Sequence, residues 1–280
     1  MKSFSRPLDN YHLIRTQSAD ELGQAFAKIY AKPKIELLSS GKTLDAHVNS
    51  CDLKHISVAY GAYASAIRLE FPAVDRFMQL MPIRGNGEIY SGKRSVPLTT
   101  NSSAVISADT GYAAAYADNR EQLALKIDGR ALTEKLAALT GADISQPLRM
   151  DLRTDFSRPT AKALREYIPV LINTLSSAIP PLPDWWITHT EQLIMVMFLF
   201  AHRHNYSHLL EREPQDGCYR HIRLAEEYIE ANYAQPVTLE KLAEISGVSA
   251  FDLFHAFQKI RGYSPLEFAS RLRAAGKGRQ

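Results

Sequence analysis

Cysteine is nearly absent: Cys51 and Cys218 are the two in 280 residues. That is too few for a disulfide framework and suits a reducing compartment. Long apolar runs are missing as well. The longest, Leu193 to Ala201, has nine residues, against the ~20 that cross a bilayer. The opening "MKSFSRPLDNYHL" lacks the apolar core of a signal peptide. No membrane partner is expected, and the chain is read as cytoplasmic. An excess of one charge is lacking too. Lys and Arg number 33 against 30 Asp and Glu, and the resulting +3 selects no partner. A Gly-rich phosphate loop, a nucleophile elbow and a believable pair of catalytic carboxylates do not occur, so the expectation is a protein that is not an enzyme and needs no cofactor. What remains is an ordinary globular composition, 45% hydrophobic and 22% charged, on a chain long enough for two domains.

From about Cys51 to Asp128 the pattern favours strands. "DLKHISVAYG", "SAIRLEF", "RFMQLMPIRG", "GEIYSG", "SAVISAD" and "EQLALKID" are short, and several alternate apolar with polar residues. Turn signals at Gly85-Asn86-Gly87, Ser91-Gly92 and Asn101-Ser102 separate them. Such spacing predicts an antiparallel sandwich or small barrel. Upstream, a Ser/Asp start and helical spacing predict a helix over Asp20 to Tyr30.

After Asp128 the period changes. "ALTEKLAALTG" reads as a short helix stopped by Gly141. In "SRPTAKALREYIPVLINTL", Ser157 is the expected N-cap and Pro159 lies in the first turn. Ile179 to Pro183, "IPPLP", makes a stiff corner. Asp184 is then expected to cap a helix running to about Asn205, with Trp185 and Trp186 available for packing. The pair forms an αα-hairpin whose second helix is apolar enough to bury surface on the strands and on a second copy of the chain. "LEREPQDGC", with Pro214 and Gly217, reads as a linker.

Beyond it, "CYRHIRLAEEYIEANYAQP" is a helix ending before Pro236, with Ile222, Ala225, Tyr228 and Ile229 on one face. A second helix starts near Thr238 and should bury Leu239, Leu242, Ala243 and Ile245. Gly247 can adopt the left-handed conformation that ends a helix, and Val248 plugs the corner. Ser249 then caps a third helix, Asp252 completes a Ser-x-x-Asp capping box, and Leu253, Phe254, Phe257 and Ile260 continue the core face. Helix, short turn, helix is the arrangement that sets its second helix in a DNA major groove. Any small helical domain also needs Ala, Gly and a plug at a crossing, so the spacing leaves both readings open.

"VTLEKLAEISGVSAFDLFHAFQKIRGYSPLEFASRLR" resembles the first half of the AraC/XylS-type DNA-binding domain, over about Tyr219 to Arg273. The most telling part is F-x-x-x-x-G-x-S-P-x-x-F from Phe257 to Phe268. "CDLKHISVAYG" and "PIRGNGEIYSG" are similar to the effector-binding half of XylS-like regulators. The resemblance implies a cupin-like small-molecule domain, a helical dimerisation element, and two helix-turn-helix units joined by a long helix. The expected architecture is therefore α+β. A cupin-like antiparallel β-barrel or sandwich would occupy 1–150, a dimerising helical hairpin 151–210, a linker 211–218, and a partial all-α helix-turn-helix domain 219–280. The implied partners are double-stranded DNA, a small organic effector with an aromatic acid as candidate, a second copy of the chain, and RNA polymerase. The joining helix should start at about Ser264, yet it meets Gly276 and Gly278, each costing a helix roughly 1 kcal/mol against Ala. Truncation or frameshift is the simpler expectation. The alternative function is an effector-binding, dimerising module with weak or no DNA binding of its own.

The candidates for contacting DNA are Ser249, Ala250, Phe251, Asp252, His255, Lys259 and Arg261. Relatives commonly carry Arg near the positions of Phe251 and His255. Ala250 or Phe251 can touch thymine methyls and His255 can donate to a base edge or phosphate; Asp252 is read as a cap, and Phe251 as a packing residue is the alternative. From Lys259 onward six basic residues face one acid, Glu267, a patch able to hold phosphates. Candidate effector-facing residues are Tyr60, Arg68, Arg84 and Tyr90, with ordinary core or surface placement the alternative for each. His202, His204 and His208 are read as a surface cluster at a helix end. His47 and His55 lack the carboxylate partner of a metal cupin, so no metal is expected.

Overall fold

The alternating segments fold as antiparallel strands shared between two sheets. The structure is a computed structural model that describes residues 6–38, 43–177, 182–211, 217–233 and 235–277. Contacts divide the chain into two units, Met1–Leu210 and Glu211–Gln280. In the first unit one sheet runs β1 (His12–Thr16), β3 (Ala46–Asp52), β4 (Ile56–Tyr63), β11 (Arg120–Asp128), β6 (Arg76–Arg84) and β9 (Ala104–Ile106). The other runs β2 (Lys34–Leu37), β5 (Ile67–Phe71), β10 (Tyr112–Tyr116), β7 (Gly87–Ser91) and β8 (Arg94–Leu98). The chain steps between sheets from β4 to β5 and from β6 to β7, which makes a cupin-like sandwich. Val48, Tyr63, Met78 and Leu80 of the first sheet meet Leu69, Phe71, Ile89, Tyr112 and Tyr116 of the second in one core.

The first sheet is covered on its other face as well. Val58, Phe77, Leu125 and Ile127 pack there against helices α2 (Gly129–Thr140), α3 (Pro159–Ser177) and α4 (Asp184–Ala201). A strand buried on both faces carries apolar residues without strict alternation. That is why β6, "RFMQLMPIR", is buried continuously from Phe77 to Met81. Helix α1 (Ala19–Ile29) starts one residue before the expected position, with Ser18 accepting from the Glu21 amide. Helix α2 stops at Gly141, whose φ of 65° is left-handed. Its first residue is glycine for a steric reason: a Cβ on Gly129 would lie 1.8 Å from Asp75 Oδ1.

The hairpin pairs α3 with α4, and Thr160 Oγ1 donates to the Phe200 carbonyl at 2.9 Å to join their outer ends. Three expectations need correcting. Asp184 is the first residue of α4, and Pro183 is its cap. The helix ends at Ala201, because residues 202–205 leave it in extended form to pair with 149–151, through Asp151 N–Arg203 O at 2.8 Å and Asn205 N–Arg149 O at 3.1 Å. His202 and His204 consequently turn inward, 3% and 8% exposed, and only His208 of that cluster is exposed. His202 Nε2 lies 3.3 Å from Gln79 Oε1, and its ring meets Phe198 edge-on at 4.5 Å. Trp186 packs into the core while Trp185 is 66% exposed. Of the predicted corner only Leu182 and Pro183 are among the described residues, and most of the predicted linker, 212–216, lies outside them.

After the short helix α5 (Ser207–Glu211), the second unit has α6 (Gly217–Asn232), α7 (Leu239–Ser246), α8 (Ala250–Arg261) and α9 (Pro265–Lys277). Ile222, Ala225, Ile229, Val237, Leu242, Leu253, Phe257 and Ala269 form its core. Tyr228, Leu239, Ile245, Phe254 and Ile260, expected inside, are only partly buried. Gly247 sits at φ 70° between α7 and α8, as the turn demands. Helix α9 opens with a reciprocal capping box, Ser264 N to Glu267 Oε2 at 2.6 Å and Glu267 N to Ser264 Oγ at 3.2 Å.

Candidate functional site

Two places in the molecule have the makings of a site, one in each unit. The first lies between the sheets. Along β11 the side chains alternate: Leu123, Leu125 and Ile127 face the helices, while Gln122, Ala124 and Lys126 line a cavity in the sandwich. Aromatic rings form much of its wall. Phe71 stacks on Tyr112 at 5.1 Å, Tyr30 meets Phe71 edge-on at 5.4 Å, and Tyr63 leans on Tyr116 at 5.4 Å. The end of α1 contributes Phe26 and Ile29, followed by Tyr30. About 40 Å³ is open to the centre of a water molecule, room for on the order of three waters.

Two cations sit on this inward row. The Lys126 side chain is 3% exposed. Its Nζ donates to the Ile29 carbonyl at 2.9 Å, and Asp52 Oδ1 lies 3.9 Å away on a half-exposed side chain. Burial pulls the ammonium down to about 8, with Asp52 opposing. Arg120, fully buried, donates to Gln122 Oε1 at 3.2 and 3.4 Å and lies over the Tyr116 ring at 4.5 Å. Burial lowers its affinity for a proton as well. The hydroxyl of Tyr30 is buried and has no hydrogen-bond partner among the described residues.

Of the four residues expected to face an effector, Tyr60 is part of the cavity lining, and Arg68, Arg84 and Tyr90 are not. Arg68 and Tyr90 are partly exposed on the solvent side of the second sheet, the guanidinium 5.2 Å from the ring centroid. Arg68 also reaches Glu70 at 3.1 Å, and the Tyr90 hydroxyl donates to Glu88 at 2.7 Å. Tyr60 is buried on the helix side of the first sheet and donates to Glu121 Oε2 at 2.8 Å, with Arg84 3.7 Å from the other carboxylate oxygen. Strand parity aims Arg68 and Tyr90 away from this cavity. Stepping from Leu125 along β11 would have found Lys126, whose charge within the otherwise apolar "LALKI" was the available signal.

The second place is the outer face of α8. Ser249 caps the helix, accepting from the Asp252 amide at 3.1 Å and donating to the Asp252 carboxylate at 2.6 Å. Asp252 thus ties its carboxylate to the cap, as expected. Leu253 and Phe257 bury one face, which turns the opposite one outward. There Phe251 is 71% exposed, its ring 4.3 Å from that of His255 one turn on, and Lys259 follows a further turn along. Ala250 is partly exposed. Phe251 therefore does not pack on a neighbouring helix of its own unit. Arg261 is placed differently from expectation. Its guanidinium grips Glu226 of α6 with two bonds, at 2.7 and 3.0 Å. Further along, Arg271 lies over the Tyr263 ring at 4.6 Å and Arg273 reaches back to the Ala269 carbonyl at 3.3 Å. The basic patch is thus partly engaged in local contacts.

No helix among the described residues is long and apolar enough to cross a membrane, and no group of three or more His, Cys, Asp or Glu among them could hold a metal ion. Residues 23–199, from α1 through most of α4, match the AraC-binding-like domain. A probable thc operon regulatory protein of Rhodococcus erythropolis is 26% identical over 265 residues, 90% of this chain and 78% of that protein. That span exceeds the first unit, so the likeness runs into the second. The crystal structure of the AraC-like transcriptional activator CuxR superposes with a TM-score of 0.53 at 14% identity, over 94% of this chain and 93% of that one, a likeness of fold. With the two-sheet sandwich, the helical hairpin and the family match over more than half its length, the chain belongs to the AraC-binding-like family of AraC-type regulators.

Proposed function

We propose that this regulator binds double-stranded DNA through α8 and takes a small organic effector into the cavity of the sandwich. The observation that carries the DNA reading is the division of α8: Leu253 and Phe257 hold it to its unit while Phe251, His255 and Lys259 face outward behind a capped start. A helix so presented, led in by Gly247, has the form of a groove-reading helix. Phe251 offers apolar contact to a thymine methyl and His255 a donor, while Lys259 supplies charge for phosphate. Asp252 and Ser249 shape the cap, and Arg261 steadies α8 against α6. The effector reading rests on the ring-lined cavity, and effector binding shifts a population between DNA-competent and incompetent states. We further infer that α3 and α4 pair two copies of the chain, since Val170, Trp185, Leu193 and Phe200 remain exposed there.

A gel-shift titration against DNA upstream of the chain's own gene tests this reading. Sequence-selective binding that survives physiological salt supports it. Binding indifferent to sequence and lost with added salt would instead favour an effector-binding, dimerising module.

A further inference from the structure

A transverse row of five residues crosses the first sheet near one end of its strands. The register pairs Arg15 of β1 with His47 of β3, His47 with Ala62 of β4, Ala62 with Glu121 of β11, and Glu121 with Arg84 of β6. Directly opposed residues of antiparallel strands share a face. Here it is the face turned away from the second sheet, since Glu121 lies on the same side of β11 as Leu123 and takes a bond from Tyr60. Ala62 is the one small side chain in the row. A hollow of about 180 Å³ opens beside it, room for on the order of ten waters. Arg15 and Arg84 reach this hollow from the two ends of the row, and Arg6 joins them from the segment before β1, its Nη1 3.4 Å from His47 Nδ1. The Arg6 backbone is held in place: its amide donates to Asp9 Oδ2 at 3.0 Å, and the neighbouring Pro7 carbonyl accepts from Asn49 at 2.8 Å.

Charge in the hollow is unbalanced. Arg6, Arg15, Arg84 and Arg120 line it against Asp45 and Glu121, so four positive charges less two negative leave a surplus of two. Arg84 lies 3.7 Å from Glu121 Oε1, while Arg6 and Arg15 have no carboxylate partner among the described residues. His47 adds no charge, because burial first, then Arg6 and His12, lower its affinity for a proton. Guanidinium groups that converge without counter-ions repel one another, and an anion between them removes that cost. These three approach from different sides: the segment before β1, β1 itself and β6. A planar carboxylate presents its two oxygens in one plane. A phosphate group offers acceptors in several directions, and its double charge matches the surplus. We propose that this hollow binds a phosphate group, free or as an ester, held by Arg6, Arg15 and Arg84. The site is separate from the cavity between the sheets and from α8. A phosphate bound there also ties the segment before β1 to β6, through Arg6 and Arg84.

Calorimetric titration of the full chain, in chloride buffer at constant ionic strength, tests the site with inorganic phosphate, glycerol 3-phosphate and acetate. The wild type should bind phosphate about tenfold or more tighter than acetate. Arg15→Gln and Arg84→Gln, both at exposed positions, should each weaken phosphate about tenfold. Arg68→Gln, on the second sheet, should leave it unchanged. Glu121→Gln removes a negative charge from the lining and should tighten phosphate binding, an effect that a merely structural role does not produce. Tighter binding of glycerol 3-phosphate than of phosphate assigns the site to an ester, and equal or weaker binding assigns it to the free ion. No phosphate binding, acetate bound as tightly as phosphate, or a phosphate affinity unmoved in Arg15→Gln and Arg84→Gln would each overturn the proposal. Loss of affinity for duplex DNA in Arg15→Gln without any phosphate binding would overturn it too, and give these arginines to the DNA backbone. Circular dichroism checks folding, and if Arg84→Gln misfolds through its lost Glu121 contact, Arg15→Gln decides.

Discussion

Replacing Lys126 by Met should remove a specific pH dependence from the stability of the first unit. In the folded chain burial lowers this group from 10.5 to about 8. Between those two values the unfolded chain binds more protons than the folded one, so stability rises with pH across that window. Below about 8 both states are protonated and the cost of the buried charge is present in full. At 1.36 kcal/mol per pH unit the whole window is worth about 3 kcal/mol, of which about 2 kcal/mol falls between pH 7.5 and 10. The buried tyrosines act in the opposite sense. Burial raises Tyr63, Tyr112 and Tyr116, so their ionisation in the unfolded chain erodes stability near pH 10 and above. Comparing wild type with Lys126→Met at each pH cancels that effect. Urea unfolding followed by tryptophan fluorescence isolates the right unit, since Trp185 and Trp186 are the two tryptophans and both lie in α4. The difference in unfolding free energy should climb by about 2 kcal/mol in favour of the wild type from pH 7.5 to 10. A difference that stays flat across that range would show that Lys126 is solvated or paired in the folded state, and the argument from burial would fail.

Three further outcomes follow from the packing. Phe257→Ala, at a fully buried position in the small core of the second unit, should cost about 3–5 kcal/mol and unfold that unit, seen as proteolysis confined to residues beyond 210. His255→Ala should weaken specific DNA by about 1–3 kcal/mol in a fluorescence-anisotropy titration, whereas Arg261→Gln should leave that affinity nearly unchanged and cost roughly 0.2–1 kcal/mol of stability through the lost Glu226 pair. His202 is held neutral, burial lowering it from 6.5 to about 3. The unfolded chain then binds the extra proton between those values, so stability should fall as pH drops through that window, and His202→Gln should flatten the acid limb of the unfolding curve.

Local signals were legible where a residue has one physical job. Gly141 and Gly247 end helices in the left-handed conformation and Ser18 and Ser249 cap them; such roles depend on neighbours three or four residues away and can be read along the chain. The exposed face of α8 was legible for the same reason, because a helix with Leu253 and Phe257 inside must turn Phe251 and His255 outward. Strands were harder. Beyond the six segments that stand out by alternation, β1, β2, β3, β8 and β10 were unread, and "YAAAY" in β10 carries helix-favouring alanines that become strand only between β5 and β7.

By itself, then, the amino-acid sequence determined the change from strands to helices after Asp128, the turn at Gly247 and the outward face of α8, all set by interactions within a few residues. Tertiary structure alone decided where α4 stops, since residues 202–205 leave the helix to pair with 149–151. It alone turned His202 inward and tied Arg261 to Glu226. It also chose the cavity's residues. Parity along a strand is readable, but which face of the sheet meets the second sheet and which meets helices depends on partners far away in the chain, and that choice put Lys126 inside and Arg68 and Tyr90 on the solvent side.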